Sequence, residues 1–267
     1  MNKTKIEWCD STWNPVTGCL HGCEYCYARK IAERFAPESS KSLITDILYI
    51  AKRDNVPPTL EHFYKAKPFE AAFYPTFYHH RLEEPQNIKK PQNIFVCSMA
   101  DLFGDWVPEE WIKQVFEACE KAPQHNYIFL TKNPERYETI NNDCENFWYG
   151  ATATDKNSFT LALDSFMQQR VNAERLLNTF LSIEPLLEEI NINECDGYFS
   201  CLNWVILGAE TGNKKGKIIP KKEWIDSIVE QCKQANVPVF MKDSLIPIVG
   251  EENMLRKFPK GLKKQHG

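Results

Sequence analysis

Several features that would assign this chain of 267 residues to a broad class are missing from it. It has no run of about 18 apolar residues, which argues against a membrane-spanning helix, and its first residues lack the apolar stretch of a signal peptide. Positive charge is not in excess either, since 32 Lys and Arg stand against 36 Asp and Glu. The chain therefore has no overall basic field for nucleic acid, and we expect a cytoplasmic protein without membrane contact.

A second ligand pair for zinc is also missing. Three of the ten cysteines, Cys19, Cys23 and Cys26, lie within eight residues. Cysteines in a cytosolic chain are more often thiols or metal ligands than disulfides. A structural zinc site usually adds a further Cys-x2-Cys or His pair, and the sequence has none beside this run. His21 could serve as a fourth ligand, although a zinc site in so short a loop would be strained, so zinc stays open as the alternative.

The three cysteines have the spacing Cys-x3-Cys-x2-Cys, and a helical pattern follows over Glu24–Phe35. A cubane iron–sulfur cluster takes about four thiolates, one per iron, so three cysteines leave one iron open to a further ligand. This pattern resembles the signature of the radical S-adenosylmethionine superfamily. The resemblance implies a [4Fe-4S] cluster whose open iron binds S-adenosylmethionine, which the reduced cluster cleaves to a 5′-deoxyadenosyl radical. It also implies an external electron donor.

Apolar, β-branched runs alternate with helical patterns along the chain. The alternation predicts parallel βα units and, from their number, a TIM-like (βα) barrel, complete or open, in one domain over residues 1–267. An irregular insertion at 36–92 and a basic tail at 255–267 interrupt this pattern. The predicted strands are Ile6–Cys9, Ala72–Tyr78, Ile94–Cys97, Tyr127–Leu130, Phe147–Ala151, Thr179–Ile183, Trp204–Leu207 and Val237–Met241. One predicted helix follows the cysteines, one follows Pro108 and one follows Pro220. Three more span Lys41–Ala51, Pro134–Asn141 and Ser158–Arg170.

Two further cysteines fall on the apolar stripes of predicted helices. Cys119 belongs to the stripe that begins at Trp111, and Cys232 belongs to the stripe that begins at Trp224. Because the spacing of both stripes is helical, these cysteines are predicted to be buried packing residues.

Polar side chains follow six of the predicted strands. In a βα barrel these positions meet at the carboxyl ends of the strands, where active sites lie. For any single position a helix cap or a solvated loop is the alternative. The residues are Ser98 and Asp101, Lys132, Thr152 and Thr154, Glu184, Glu210, and Lys242.

The resemblance extends over most of the chain. Successive blocks are similar to a phage-associated, radical-SAM-like family of unassigned substrate, which is related at a distance to the spore photoproduct lyase branch. Relatives often have Asn where this chain has Cys97. A second cluster of Cys97, Cys195 and Cys201 is a further alternative, but the spacing of these three cysteines is too loose to indicate one. The similar blocks are Ile6–Trp8, Thr12–Cys19, Phe95–Phe103, Ala122–His125, Leu130–Arg136, Ser182–Leu187 and Trp204–Gly212.

The resemblance also implies roles for the polar residues. Cys19, Cys23 and Cys26 would ligate the cluster, and Tyr25 would approach the adenine. Ser98 with Asp101 would hold the methionyl ammonium, although the usual Gly-Gly-Glu is absent. The segment Gly208–Glu210 would meet the adenine, and Thr152, Thr154 or Glu184 would bind the ribose. Lys132 and Lys242 would neutralise the S-adenosylmethionine carboxylate or a substrate phosphate, with a salt bridge inside the mouth as the alternative for each lysine.

Two classes of function follow from the sequence. The first is a radical enzyme that abstracts hydrogen from a nucleic acid base, a nucleotide or a peptide, with Glu184, Lys132 and Lys242 as its catalytic candidates. The second is a non-catalytic module in which zinc or an iron–sulfur cluster staples a loop. The basic tail, with five positive charges from Arg256 to Lys264, is either a nucleic-acid contact or a solvated terminus.

Overall fold

The structure, a computed structural model, describes residues 1–36, 73–139, 142, 144–172, 177–190, 201–212 and 215–262. Its main feature is an eight-stranded sheet in which seven neighbouring strands run parallel and one edge strand is antiparallel. The parallel strands lie side by side in the order in which they occur along the chain. The fold is therefore mixed α/β with a mostly parallel sheet, which the alternation of strands and helices predicted.

The strands of this sheet are short, between two and six residues each. A separate antiparallel pair, β3 (Val16–Thr17) and β4 (Thr76–Phe77), lies beside the sheet. The eight strands are β1 (Asn2–Lys3), β2 (Ser11–Trp13), β5 (Asn93–Val96), β6 (Asn126–Thr131), β7 (Phe147–Thr152), β8 (Asn178–Ile183), β9 (Trp204–Leu207) and β10 (Val239–Met241).

Helices connect the parallel strands. The helix after Pro108 begins with Glu109 and Glu110, whose carboxylates lie at the positive end of the helix dipole. The segment predicted as a helix over Pro134–Asn141 forms a 3-10 helix over Pro134–Thr139 instead. The α-helices are α1 (Tyr27–Phe35), α2 (Glu109–Glu120), α3 (Lys156–Asn172), α4 (Lys222–Gln234) and the short α5 (Ile246–Val249).

The first predicted strand, Ile6–Cys9, is wrong. The chain forms turns there, and the strand that pairs with β5 is Ser11–Trp13. Trp8 is buried between aromatic rings of the sheet, with its ring centroid 4.8 Å from that of Phe95. The apolar residues of this segment therefore cover one face of the sheet rather than extend it.

The strand predicted at Ala72–Tyr78 is confirmed only as the two residues of β4, which lie outside the main sheet. The other six predicted strands are confirmed. In the part of the chain that the structure describes, the edge strands β1 and β10 do not pair with each other. The sheet is thus open there, and closure into a complete barrel is not seen.

The two faces of the sheet have different cores. The larger core lies between the sheet and the helices, where Val115 and Phe116 of α2 pack with Phe129 and Tyr149 of the strands. The smaller core covers the opposite face and contains Trp8 with residues from six strands, among them Phe95, Ile128, Trp148, Phe180, Trp204, Ile206 and Phe240. Successive residues of each strand alternate between these cores, as the pleat of a sheet requires.

The tail predicted at 255–267 lies partly against the sheet. Met241 donates its backbone N–H to Leu255 at 2.7 Å, and Arg256 forms an ion pair with Asp243. Phe258 packs on Trp204, and Leu262 is fully buried. Up to residue 262 the tail is therefore a packed element, and Lys263 and Lys264 lie outside the described residues.

Most of the predicted insertion at 36–92 and the predicted helix Lys41–Ala51 also lie outside the described residues. The described end of the insertion contains β4 and two 3-10 turns, His79–Arg81 and Pro85–Asn87. Among the helices that the structure describes, none has the length and apolar character needed to cross a bilayer.

Candidate active site

A cavity of about 270 Å³ lies at the carboxyl ends of the parallel strands, on the face that carries Trp8. Its volume approaches the range of small-molecule sites, about 300–1,000 Å³. The three cysteines border it together with most of the predicted polar residues. Those residues are Cys19, Cys23, Tyr25, Cys26, Ser98, Asp101, Lys132, Thr152, Glu184, Glu210 and Lys242. Side chains that are far apart in sequence therefore meet at the predicted edge of the sheet.

The cysteine loop enters the cavity through Gly18. Its φ of +87° lies in the left-handed region, and a Cβ at this position would come within 2.1 Å of the Tyr74 carbonyl oxygen. Gly18 donates its N–H to Met99 at 2.8 Å, and Cys19 donates its N–H to Phe73 at 3.1 Å. Because only glycine fits this conformation and this close approach, Gly18 fixes where the loop begins.

Two of the three sulfurs accept backbone N–H groups. Cys26 is the N-cap of α1, and its Sγ accepts from Arg29 N at 3.3 Å. The backbone N–H of His21 donates to the Cys19 thiol. The pKa of Cys19 is raised to about 12, mainly by burial and in smaller part by the charges of Asp101, Cys23 and Cys26, while the hydrogen bond from His21 opposes this shift. The loop therefore presents half-buried thiols that a cationic group would help to ionise.

No three His, Cys, Asp or Glu side chains among the described residues converge closely enough to hold one metal ion. The three sulfurs thus do not form the compact ligand set of a tetrahedral zinc site in this structure. A cubane distributes its thiolates over different iron atoms. Three cysteine thiols on one loop fit a cubane cluster, and all three border the cavity.

Asp101 connects the cysteine loop to the ends of two strands. One carboxylate oxygen accepts from Thr131 Oγ1 at 2.7 Å and from Phe103 N at 3.0 Å. The other oxygen contacts His21 Nε2 at 2.7 Å and Lys132 N at 2.8 Å. Since both oxygens of this buried carboxylate already have partners, Asp101 holds His21, and with it the cysteine loop, at the edge of the sheet.

Ser98 and Tyr25 also make contacts inside the protein. Ser98 Oγ lies 3.2 Å from Asn14 Oδ1, which also accepts from Met99 N at 2.9 Å. Lys132 Nζ lies 2.5 Å from Tyr25 Oη and 5.0 Å from the centre of its ring. The ammonium of Lys132 is thus directed to the cysteine loop.

Lys242 lies between two carboxylates at the cavity. Its Nζ is 2.5 Å from Glu184 Oε1 and 3.9 Å from Glu7 Oε2. A Cβ on Gly208 would come within 2.9 Å of Glu184 Cγ, so glycine leaves the space in which the Glu184 side chain lies. The salt bridge that the sequence offered as the alternative role of Lys242 is therefore present. Gly208 contributes to it by leaving room for the Glu184 side chain.

The two threonines after β7 lie in different places. Thr152 borders the cavity, whereas Thr154 is buried outside its lining and donates its hydroxyl to Asp155 at 3.1 Å. Glu210 is also buried, and its Oε2 accepts from Ile218 N at 3.3 Å. Thr152 and Glu210 therefore meet at the cavity, and Thr154 belongs to the start of α3.

Four residues that the sequence did not assign to the site take part in it. They are Glu7 and Trp8 in the segment before β2, Asn14 after it, and His21 in the cysteine loop. The apolar pattern of the first segment predicts a strand and therefore gives no sign of the roles of Glu7 and Trp8. The position of His21 between two cysteines is a signal that it lies at the cavity.

Comparison with solved structures finds the same fold at low sequence identity. A variant of spore photoproduct lyase with bound AdoMet and dinucleoside spore photoproduct matches with a TM-score of 0.52 and 11% identity, over 90% of this chain and 78% of that chain. A second variant matches with a TM-score of 0.50 and 9% identity over the same shares. The chain spans only 63% of the length of a further variant with the dinucleoside, at 10% identity and a TM-score of 0.48.

These matches show that the chain has a fold like that of spore photoproduct lyase. No curated protein matches the sequence, and none of the matches concerns a phage. A model of one protein family covers residues 3–246, which is most of the chain. The chain therefore belongs to the family described as protein of unknown function (DUF5131).

Proposed function

We propose that this protein is a radical S-adenosylmethionine enzyme whose cluster is held by Cys19, Cys23 and Cys26. The observation that carries the proposal is the position of these cysteines. They lie on one loop that borders a cavity at the carboxyl ends of parallel strands, and Glu184 and Lys242 border the same cavity. When bound, a reduced [4Fe-4S] cluster with one open iron supplies the electron that cleaves S-adenosylmethionine to methionine and a 5′-deoxyadenosyl radical.

The residues of the chain supply binding and orientation for this chemistry. Asp101 and His21 hold the cysteine loop against the ends of β5 and β6. Lys132 and Lys242 are cations within the cavity, suited to the carboxylate of S-adenosylmethionine or to a substrate phosphate. Ser98 and Thr152 offer hydroxyl groups at the cavity wall for the ammonium and the ribose. Trp8 and Phe95 close its floor with apolar surface, which limits the access of water to a radical.

The substrate that we propose is a nucleic acid or a nucleotide. One solved variant of spore photoproduct lyase with a similar fold carries a dinucleoside. The cavity of this chain has two ammonium groups and several aromatic rings. Phosphates pair with ammonium groups, and bases stack on aromatic rings. The chemistry of the cavity is therefore compatible with a nucleotide.

A metal-stapled interaction module is the second candidate. A staple requires only the cysteine loop, and the loop is indeed fixed to its neighbours by Arg29, which donates to the Cys19 carbonyl at 3.1 Å. It does not require a Lys242 placed between Glu184 and Glu7 at the same cavity. These half-buried charges therefore favour the enzyme.

Anaerobic reconstitution with iron and sulfide tests the cluster directly. We expect a brown protein with about four irons per chain, and a paramagnetic signal after reduction that changes when S-adenosylmethionine is added. The change in signal reports a ligand at the open iron. Stoichiometric zinc with no iron uptake would refute the cluster and leave the stapled module.

A further inference from the structure

A lysine-rich loop lies at the edge of the cavity. We call residues 215–222 the lysine loop. Four of its eight residues are lysine and none is Asp or Glu, in a chain whose net charge is −4. The loop follows β9, whose last residues lead into Ala209, Glu210 and Thr211 of the cavity wall. Positive charge is therefore concentrated in a loop that follows the cavity wall in the chain.

The cavity wall holds this loop in place. Glu210, which borders the cavity, accepts the backbone N–H of Ile218 at 3.3 Å. Pro220 is buried, and α4 begins two residues later at Lys222. The middle of the lysine loop is thus fixed to a cavity residue on one side and to a helix on the other.

The lysines of the loop divide into two pairs. Lys222 forms an ion pair with Asp226 at 2.6 Å, and Lys221 lies over the ring of Trp224 at 5.4 Å. Lys215 and Lys217 are exposed, and within the described residues neither has an ion-pair partner. Two ammonium groups beside the cavity are therefore available to an anionic partner.

Exposed apolar side chains accompany these lysines. Ile218 is 43% exposed and Ile219 is 65% exposed, although a loop that served only solubility would gain nothing from them. Lysines reach phosphates, and apolar side chains contact sugars and unstacked bases. Alternating cationic and apolar groups thus suit a nucleic acid strand better than a small anion.

We infer that the lysine loop binds the phosphate backbone of a nucleic acid strand and presents one of its nucleotides to the cavity. The inference rests on the proposed function, because it names the polymer on which that site would act. It assigns the contact to Lys215 and Lys217 rather than to the packed tail, where Arg256 already pairs with Asp243.

Binding of a labelled single-stranded DNA oligonucleotide to the full chain, measured by fluorescence anisotropy at several salt concentrations, tests the inference. The variant K215Q/K217Q removes two charges from the loop. The control K257Q/K260Q removes two exposed charges from the tail. We expect the loop variant to bind roughly tenfold more weakly, with a salt slope smaller by about 1 for each phosphate that its loop no longer neutralises.

Four results would overturn the inference. They are absence of oligonucleotide binding by the wild type, equal weakening in both variants, weakening in the tail variant alone, and equally tight binding of poly-glutamate of the same charge. The last result would indicate an acidic protein partner. Since the measurement needs neither reductant nor S-adenosylmethionine, a protein that binds through the loop but cleaves no S-adenosylmethionine would refute the proposed reaction and leave this surface standing.

Discussion

Cysteine occurs in two different surroundings in this protein. Cys19, Cys23 and Cys26 are partly exposed at the border of the cavity. Cys119 and Cys232 are fully buried on helix faces, within the core between sheet and helices. In the first group, Cys19 and Cys26 accept backbone N–H groups at sulfur, whereas the second group fills space in the core. The difference shows that the neighbours of a thiol, rather than the thiol itself, decide whether it is available to a metal.

The two surroundings also differ in how charge is held. At the cavity border, carboxylates and ammonium groups lie among the cysteines and pair with one another, as Glu184 does with Lys242. Around Cys119 the neighbours are apolar rings such as Phe116 and Tyr127. Substitutions at the cavity border should therefore change binding and chemistry, whereas substitutions in the core should change stability alone.

The largest effect is expected from Cys23→Ala compared with Cys119→Ala. The first variant should lose the cluster and its colour while its melting temperature before reconstitution stays close to that of the wild type. The second should retain about four irons and lose on the order of 1 kcal/mol of stability through the cavity left in the core. Iron analysis and thermal melts measure both quantities. If Cys119→Ala lost the chromophore, the two groups of cysteines would not differ in the way described.

Asp101→Asn should have the next largest effect. The amide cannot accept all four donors that the carboxylate accepts, so the stability should fall by about 2 kcal/mol and the cysteine loop should hold iron less tightly. The matched control is Asp105→Asn, which changes an exposed carboxylate with one side-chain contact, to Asn133. Urea melts and the rate of iron loss to a chelator provide the measurement. Equal behaviour of the two variants would argue that Asp101 does not position the loop.

A smaller effect is expected from Glu184→Gln. The change keeps the shape of the side chain and removes the charge that faces Lys242, so S-adenosylmethionine should bind about tenfold more weakly without loss of folding. Glu189→Gln, at an exposed position after the same strand, should bind normally. Equilibrium dialysis of the reconstituted protein measures the dissociation constants. Unchanged binding in Glu184→Gln would mean that the salt bridge is only structural.

The smallest effect concerns His125, at the opposite end of the sheet from the cavity. Burial lowers its pKa below the usual 6.5, although hydrogen bonds to the Pro85 and Ile88 carbonyls oppose this shift. The unfolded chain therefore binds a proton more readily than the folded protein, and the free energy of unfolding should fall as the pH drops below 6.5. Urea melts across this range should show a shallower pH dependence in His125→Gln. The same pH dependence in both proteins would show that His125 does not contribute to the loss of stability at low pH.

Much of the fold could be predicted from the sequence because apolar, β-branched runs mark buried parallel strands. Six of these runs are strands, and the predicted polar residues after them, except Thr154, meet at one cavity. The burial of Cys119 and Cys232 followed from helical spacing in the same way. The periodicity of apolar residues indicates which side chains of a helix or strand are buried, because these side chains lie on one face of the element.

The remaining features depend on contacts between distant parts of the chain. Ile6–Cys9 is apolar because Trp8 packs on the sheet. In the sequence, an apolar segment that covers a sheet has the same pattern as a strand within the sheet. The pairing of His21 with Asp101 joins residues 80 positions apart, which no local pattern encodes. Cys97 has a φ of 57°, a conformation that Asn adopts more readily than Cys, and no local sequence pattern indicates it.

The central claim is that the cysteine loop supports cleavage of S-adenosylmethionine in this cavity. Its most direct test is the formation of 5′-deoxyadenosine after anaerobic incubation of the reconstituted protein with S-adenosylmethionine and a chemical reductant, measured by chromatography beside Cys23→Ala. We expect 5′-deoxyadenosine from the wild type and none from the variant. A wild type that carries its full complement of iron and yet forms no 5′-deoxyadenosine, with or without oligonucleotide, would contradict it.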